Sequence, residues 1–152
     1  MDVKDIMTRN PISIDPEAPI GTAVDVMVDR KIRHLPVVDA RGAIVGIITD
    51  RDLRSAALAP ALEQYLSATA RRRLRGVGIA LENLLVKNAM TRNPVTTTPD
   101  LPVTQAAALM LERHVGSLLV VDGDALVGIV TDRDAVKALS RQVPALRRLG
   151  GV

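Results

Sequence analysis

The chain contains one segment twice, and this internal repeat limits the possible folds more than any other feature of the sequence. The opening run VKDIMTRNP at residues 3–11 returns as VKNAMTRNP at residues 86–94, which is 83 positions later. A second pair of matching runs follows, GIITDRD at residues 46–52 and GIVTDRD at residues 128–134. Repeats of this kind are copies of one supersecondary unit that is too small to bury its apolar face alone. We therefore expect two similar modules that pack together and share a core.

Each copy predicts the order strand, helix, strand, strand, helix. The first strand follows an Asn-Pro turn, and the first helix begins after a proline and carries apolar residues at helical spacing. The predicted fold class is α+β, with a small three-stranded sheet and two helices in each module and a pseudo-two-fold relation between the modules. The predicted bounds are 12–14, 20–30, 35–38, 44–48 and 51–58 in the first copy, and 95–97, 103–113, 118–121, 126–130 and 133–140 in the second.

Composition describes the expected core and excludes several kinds of site. The core is aliphatic, because the sequence has no Phe, no Trp and one Tyr, and Met27 and Met110 are expected to fill gaps in it. The absence of cysteine excludes disulfides, thiolate nucleophiles and Cys-ligated metals. The two histidines, His34 and His114, have no carboxylate cluster at ligand spacing beside them, so no metal site is predicted.

The sequence also contains no motif that is typical of an enzyme or of a membrane protein. It has no Ser/His/Asp arrangement and no Walker lysine loop, so no catalytic residue is assigned and no enzyme is expected. No apolar run approaches the ~18 residues that a membrane span needs, and the first residues contain no apolar signal-peptide region. We expect a cytoplasmic protein. The net charge of +3 permits a small anionic ligand.

The copies are separated by a long connector. We predict one module at 1–58, a helical connector at 59–85, a second module at 86–142 and a C-terminal tail at 143–152. The connector carries a basic cluster, which is either a solvated helix face or a surface for an anionic partner. A nucleic acid is not favoured, because aromatic side chains for base stacking are nearly absent. The cluster consists of Arg71, Arg72, Arg73 and Arg75.

The TDRD run has two interpretations, which remain open at this point. As a capping box, Thr49 caps the second helix and Asp52 reaches back to it. As a binding site, the Asp52 carboxylate accepts hydrogen bonds from a ribose diol, and Arg51 pairs with phosphate at the positive end of the helix dipole. Capping alone does not require Asp-Arg-Asp in both copies. The second copy offers Thr131, Arg133 and Asp134 in the same positions.

At this point the sequence resembles the cystathionine-β-synthase (CBS) domain, and the tandem resembles a Bateman module. The resemblance is carried by the run RHLPVVD at residues 33–39 and by the two TDRD runs. It covers about residues 3–58 and 86–140. It implies a sensor that binds AMP, ADP, ATP or S-adenosylmethionine in clefts between the modules. It also implies a homodimer that regulates an unidentified protein, with no obligatory cofactor.

The resemblance assigns roles to particular residues. The Thr and Asp of each TDRD run would hold the ribose, and the RHLP segment would supply phosphate contacts. Residues around the methionine of the partner copy's opening run, near Met7 and Met90, would help to enclose the base. Candidate ligand-binding residues are therefore Arg33, His34, Pro36, Thr49, Arg51, Asp52, Thr131, Arg133, Asp134, Met7 and Met90.

The second copy departs from the family pattern, and this predicts unequal sites. Gly116 and Ser117 stand where the first copy has Arg33 and His34. The site at Thr49 and Asp52 is therefore predicted to bind phosphate more tightly than the one at Thr131 and Asp134. The alternative for the whole chain is a protein-interaction scaffold whose clefts hold no ligand, or a nucleic-acid binder that uses the connector arginines.

Overall fold

The computed structural model describes residues 1–63 and 84–143, and the side chains of 57–63 are outside that description. The chain forms two compact units. The first unit is Ile12–Asn93, and the second unit consists of Met1–Pro11 together with Pro94–Val152. These boundaries differ from those of the sequence repeats, because the opening segment of each copy (1–11 and 84–93) belongs to the unit built on the other copy. Most of the connector, with its basic cluster, and the tail from residue 144 lie outside the described residues.

The elements of the described chain follow the repeat. Those of the first copy are α1 (Val3–Ile6), β1 (Thr8–Arg9), α2 (Ile20–Arg30), β2 (His34–Val38), β3 (Ile44–Thr49) and α3 (Asp50–Glu63). Those of the second copy are α4 (Val86–Ala89), β4 (Thr91–Arg92), β5 (Thr96–Thr97), α5 (Val103–Arg113), β6 (Ser117–Asp122), β7 (Ala125–Thr131) and α6 (Asp132–Ser140).

The predicted bounds of the first helices, α2 and α5, are confirmed. Pro19 and Pro102 are the residues directly before them, where a missing backbone N–H costs nothing. Each helix ends at a left-handed residue, Lys31 or His114, with φ of 54° in both. The backbone N–H of each of these residues donates to carbonyls of the last helical turn, which ends the helix in the same way in both copies.

The sheets differ from the prediction of three strands in each module. In the first unit the strand order is β2-β3-β4, and in the second unit it is β1-β7-β6-β5. The predicted strand at 12–14 is wrong in extent, since only Ile14 forms an isolated parallel bridge to Val37. Its counterpart in the second copy is the two-residue strand β5, which pairs in parallel with β6. The second unit therefore has one strand more than predicted.

Each unit has its own aliphatic core, which lies between one sheet face and the first helix. Met27 and Met110 are buried in these cores, as predicted, with 6% and 4% of their surface exposed. In the first unit, Leu35 and Val37 of β2 pack with Ile48 of β3. Because side chains alternate across a strand, the residues between them point to the opposite face of the sheet. That face includes His34, Pro36, Ile47 and Thr49.

The opening segments, which the sequence left without predicted structure, complete both units. Val3 and Val86 are fully buried, each in the core of the unit it joins. The Val3 N–H donates to the Leu101 carbonyl at 2.9 Å, and the Val86 N–H donates to the Ala18 carbonyl at 2.8 Å. The two segments therefore dock in the same way.

A charged pair accompanies each of these attachments. Lys4 Nζ lies 2.6 Å from an Asp100 carboxylate oxygen, and Lys87 Nζ lies 2.8 Å from Glu17. The hydrogen bond and charge of Asp100 raise the pKa of Lys4 above its ordinary value. Both pairs are solvent-exposed, so they orient the segments more than they stabilise them.

Candidate functional site

The first site lies where β3 ends and α3 begins, and it is built on a capping box. The Oδ2 atom of Asp52 accepts the Thr49 backbone N–H at 2.9 Å and the Thr49 hydroxyl at 3.0 Å. The Asp52 backbone N–H donates to Thr49 Oγ1 at 3.2 Å. The capping interpretation of the sequence is therefore correct as a description of local structure.

Only one of the two carboxylate oxygens of Asp52 takes part in the capping box. Within the described residues, Oδ1 of Asp52 has no hydrogen-bond partner, while Oδ2 is fixed by Thr49. A carboxylate oxygen accepts hydrogen bonds from ribose hydroxyls, so the two interpretations are compatible. The cap orients the side chain through Oδ2, and Oδ1 takes no part in it.

The chain itself shows that capping does not need an aspartate. At the start of α1, Asp5 Oδ2 accepts the Asp2 backbone N–H at 2.7 Å. At the equivalent place in α4, Asn88 Oδ1 accepts the Leu85 backbone N–H at 2.9 Å. An amide thus serves the same reach-back role.

The RHLP segment lies beside the same helix start. The Arg33 carbonyl accepts the Asp50 backbone N–H at 3.0 Å. His34 is the cross-strand partner of Thr49, so both side chains project from one face of the sheet. Pro36 is buried two residues further along that face. Arg33 and Arg51 are exposed, and His34 is partly buried.

Next to each site, a glycine allows close contact with the opening segment of the other copy. A Cβ built on Gly46 would lie 2.7 Å from both Met90 Sδ and the Thr91 carbonyl oxygen. A Cβ on Gly128 would lie 2.5 Å from Met7 Sδ. Gly46 thus permits the close approach of a neighbouring strand, β4. Met90 and Met7 lie in the same units as Asp52 and Asp134, respectively.

The second site repeats the capping box with closely similar distances. Asp134 Oδ2 accepts the Thr131 N–H at 2.9 Å and the Thr131 hydroxyl at 2.7 Å. The Asp134 N–H donates to Thr131 Oγ1 at 3.2 Å. Oδ1 of Asp134 likewise has no partner in the part of the chain that the structure describes. Arg133 is exposed on the first turn of α6.

The two sites differ at the first residue of the helix, a feature that the sequence reasoning missed. In the first site, Asp50 forms an ion pair with Arg54 at 3.4 Å, and no described residue accepts the Arg51 N–H. In the second site, Oδ1 of Asp132 accepts the Arg133 N–H at 2.6 Å. The sequence does contain a sign of this difference. The first copy reads TDRDLR and the second reads TDRDAV, so Val136 stands where the first copy has Arg54.

Neither a metal cluster nor a membrane span appears in the described part of the chain. No group of three or more His, Asp or Glu side chains is arranged there to hold a metal ion. None of the helices described has the length and apolar character that crossing a bilayer requires.

Comparison with known proteins gives the family. The CBS domain model matches twice, at residues 3–59 and 86–141. The chain belongs to the CBS-domain family. A CBS domain-containing protein of Dictyostelium discoideum is 36% identical over 138 residues, which cover 90% of each chain. Homoserine O-acetyltransferase of Methanococcoides burtonii is 35% identical over 134 residues, but these are 87% of this chain and 23% of that enzyme.

Solved CBS-pair structures share the fold. The structure of CBSX2 from Arabidopsis thaliana in complex with AMP has a TM-score of 0.72 and 26% identity, covering 93% of this chain and 97% of that one. The CBS domain pair of protein MJ0100, in complex with 5′-methylthioadenosine and S-adenosyl-L-methionine, has a TM-score of 0.74 and 29% identity, covering 94% and 98%. Both of these CBS pairs were solved with adenosyl compounds bound. The α+β fold with two CBS modules is confirmed.

Proposed function

We propose that this CBS pair is a regulatory module that binds AMP, ADP, ATP or S-adenosylmethionine and signals through a homodimer. The observation that carries the proposal is the Oδ1 atom of Asp52 and of Asp134, which has no hydrogen-bond partner among the residues that the structure describes, while Oδ2 is held in a capping box with Thr49 or Thr131. Ribose hydroxyls are natural donors to such oxygens. The adenosyl ligands of CBSX2 and of protein MJ0100 support this choice of compound class. No catalytic step is proposed.

The first site has the better groups for a phosphorylated ligand. Arg33 and Arg51 are exposed cations at the edge of the site, and His34 lies on the same sheet face as Thr49. The Arg51 backbone N–H has no partner among the described residues, and such N–H groups at helix starts bind phosphate. We propose that AMP, ADP or ATP binds here, with Met90 beside the base.

Signalling would follow by population shift. A ligand changes the dimer geometry only if it binds one geometry more tightly than the other. A tenfold difference in affinity corresponds to about 1.4 kcal/mol of bias toward one state. Sedimentation or small-angle scattering with and without ligand measures that change.

Calorimetric titration with each adenosyl compound tests the binding proposal. Asp52→Asn keeps an acceptor for the Thr49 N–H but replaces one carboxylate oxygen by an amide, so AMP affinity should fall at least tenfold. Asp5→Asn is the matched control, because it alters a reach-back cap outside both sites and should leave AMP affinity unchanged. Equal AMP affinity in Asp52→Asn and wild type would contradict the proposal.

The alternative is a protein-interaction scaffold without ligand. It is favoured by the fact that both capping boxes are already satisfied within the chain and by exposed apolar residues on the first helices, Val28 at 69% and Leu111 at 77%. Thermal shift separates the two functions, because a ligand at 100 times its Kd stabilises by about 2.7 kcal/mol. No shift with any adenosyl compound at millimolar concentration would favour the scaffold.

A further inference from the structure

Each unit binds one opening segment, and the two segments are nearly interchangeable. Residues 3–11 and 86–94 differ only where Asp5 and Ile6 stand in the first segment and Asn88 and Ala89 stand in the second. We infer that the size of the residue at position 6 or 89 selects the unit to which each segment docks. The large or small residue is matched by one of opposite size on the second helix of that unit, α6 or α3. The selection acts on the fold and requires no ligand.

The contacts that the two segments share cannot distinguish one unit from the other. Each segment buries a valine, donates a backbone N–H from that valine and pairs its lysine with an acidic side chain. The acidic partners, Asp100 and Glu17, stand at equivalent positions of the two copies. Asp5 and Asn88 also serve alike, because each accepts a backbone N–H of its own segment. The difference between Ile6 and Ala89 is therefore the one in these runs that can discriminate.

In the second unit, the large residue of the segment lies against small side chains. Ile6 packs against a buried cluster that consists of Val103, Ala135 and Ala138. α1 contacts α6, the helix that carries both alanines, and Ala135 is 2% exposed. The alanines leave room on α6 for the isoleucine of the segment.

In the first unit, the sizes are reversed. α4 contacts α3, and Ala89 and Leu53 both pack against the core of this unit. Leu53 is the counterpart of Ala135, since each follows directly after the TDRD run of its copy. A small residue on the segment is thus combined with a large one on the helix.

The reverse docking would disturb both units. It would bring Ile6 to the unit that contains Leu53 and Ala89 to the unit that contains Ala135. Because isoleucine has three side-chain carbons more than alanine, the first unit would be overpacked and the second would be left with a cavity. Both changes destabilise a core. The two effects act against the same arrangement, so the size match favours the docking that the structure shows.

Thiol cross-linking reports which unit holds the first segment. The chain has no cysteine, so only introduced thiols react. A short bismaleimide should join Lys4→Cys to Asp100→Cys, because Lys4 Nζ lies 2.6 Å from the Asp100 carboxylate; we call this the exchanged cross-link. The direct cross-link, between Lys4→Cys and Glu17→Cys, should form far less, since Glu17 pairs with Lys87. Mass spectrometry of the digested chain measures both products.

A size-inverted chain tests the selection. It carries Ile6→Ala and Ala89→Ile, so each segment fits the unit that it does not occupy. The ratio of exchanged to direct cross-link should fall by about tenfold or more, which corresponds to about 1.4 kcal/mol. The matched control, Asp5→Asn with Asn88→Asp, inverts the other difference between the segments and should leave the ratio unchanged. A ratio that is the same in the size-inverted and natural chains would overturn the inference.

A compensated chain keeps the test decisive if size inversion prevents folding. Adding Leu53→Ala and Ala135→Leu to the size-inverted chain reverses the helices as well as the segments. This four-site variant should regain the far-ultraviolet circular dichroism of the natural chain, most of its Tm and its ratio of cross-links. A four-site variant that is no better folded than the size-inverted chain would show that the sizes are not matched across these positions, and would also overturn the inference.

Discussion

Replacing Gly46 or Gly128 by alanine should destabilise the two units unequally. On Gly46 the new Cβ lies 2.7 Å from the Thr91 carbonyl oxygen, whereas ordinary contact begins at 3.4 Å, so the β3–β4 pair must open by about 0.7 Å. The carbonyl belongs to the backbone and cannot rotate away. Overpacking of this kind lowers the free energy of unfolding by about 1–3 kcal/mol, and we expect the upper part of that range for Gly46→Ala.

On Gly128 the closest atoms belong to a flexible side chain. Met7 Sδ lies at 2.5 Å from the new Cβ and Met7 Cγ at 3.1 Å, while the Thr8 carbonyl oxygen is 3.1 Å away. Rotation of the methionine removes most of the conflict, because Met adapts readily to its surroundings. Gly128→Ala should therefore lower the free energy of unfolding by about 1 kcal/mol, the lower end of the usual cost of overpacking.

Thermal and urea unfolding measure the difference by far-ultraviolet circular dichroism, since the chain has no Trp. At about 2–4 °C per kcal/mol, Gly46→Ala should lower Tm by about 4–12 °C and Gly128→Ala by about 2–4 °C. Double-mutant cycles add a sharper test. Met7→Ala should relieve Gly128→Ala, and Met90→Ala should relieve Gly46→Ala much less. Equal costs, with equal relief by both methionine truncations, would refute the backbone argument.

Further changes test single features of the fold. Asp134→Ala should cost about 1 kcal/mol of stability through loss of the cap, whereas Asp134→Asn should retain most of it, as chemical denaturation would show. If both variants lose the same amount, the carboxylate is needed for capping after all. Thr97 is 7% exposed and occupies the position that the apolar residue Ile14 holds in the first copy. Thr97→Val should therefore raise Tm slightly, and a fall would indicate an unrecognised role for the hydroxyl. Lys31→Gly should stabilise the end of α2 by about 1 kcal/mol, because glycine adopts positive φ without strain; an unchanged unfolding midpoint would argue against strain there.

Much of the fold is readable from the sequence because local signals agree. The first helices are bounded by Pro19 and Pro102 at one end and carry a clear apolar face. The short strands β1 and β4 are not readable, since two residues do not form a pattern. The opening segments themselves do not show which copy each one completes, because they are almost identical; only the family resemblance implied that each lies at the partner copy's site.

The candidate site is partly readable for a similar reason. The capping box is a local motif, so Thr49 and Asp52 could be placed from spacing alone. The orientation of the carboxylate in the first helical turn cannot be predicted from the motif. Asp50 pairs with Arg54, whereas Asp132, which has Val136 four residues later, accepts the Arg133 N–H. The roles of all the candidate binding residues stay predictions until ligand binding is measured.

The exchanged opening segments have a consequence for how such a chain can be divided. A fragment cut at the repeat boundary would keep the opening segment that its own sheet does not use and lose the one that completes its core through Val3 or Val86. The natural cut is at 12–93, which crosses the repeat. A protein with a single copy could complete its sheet only with the opening segment of another molecule. In the tandem chain, the two copies exchange their opening segments within one molecule. Two single-copy chains would have to associate to make the same exchange.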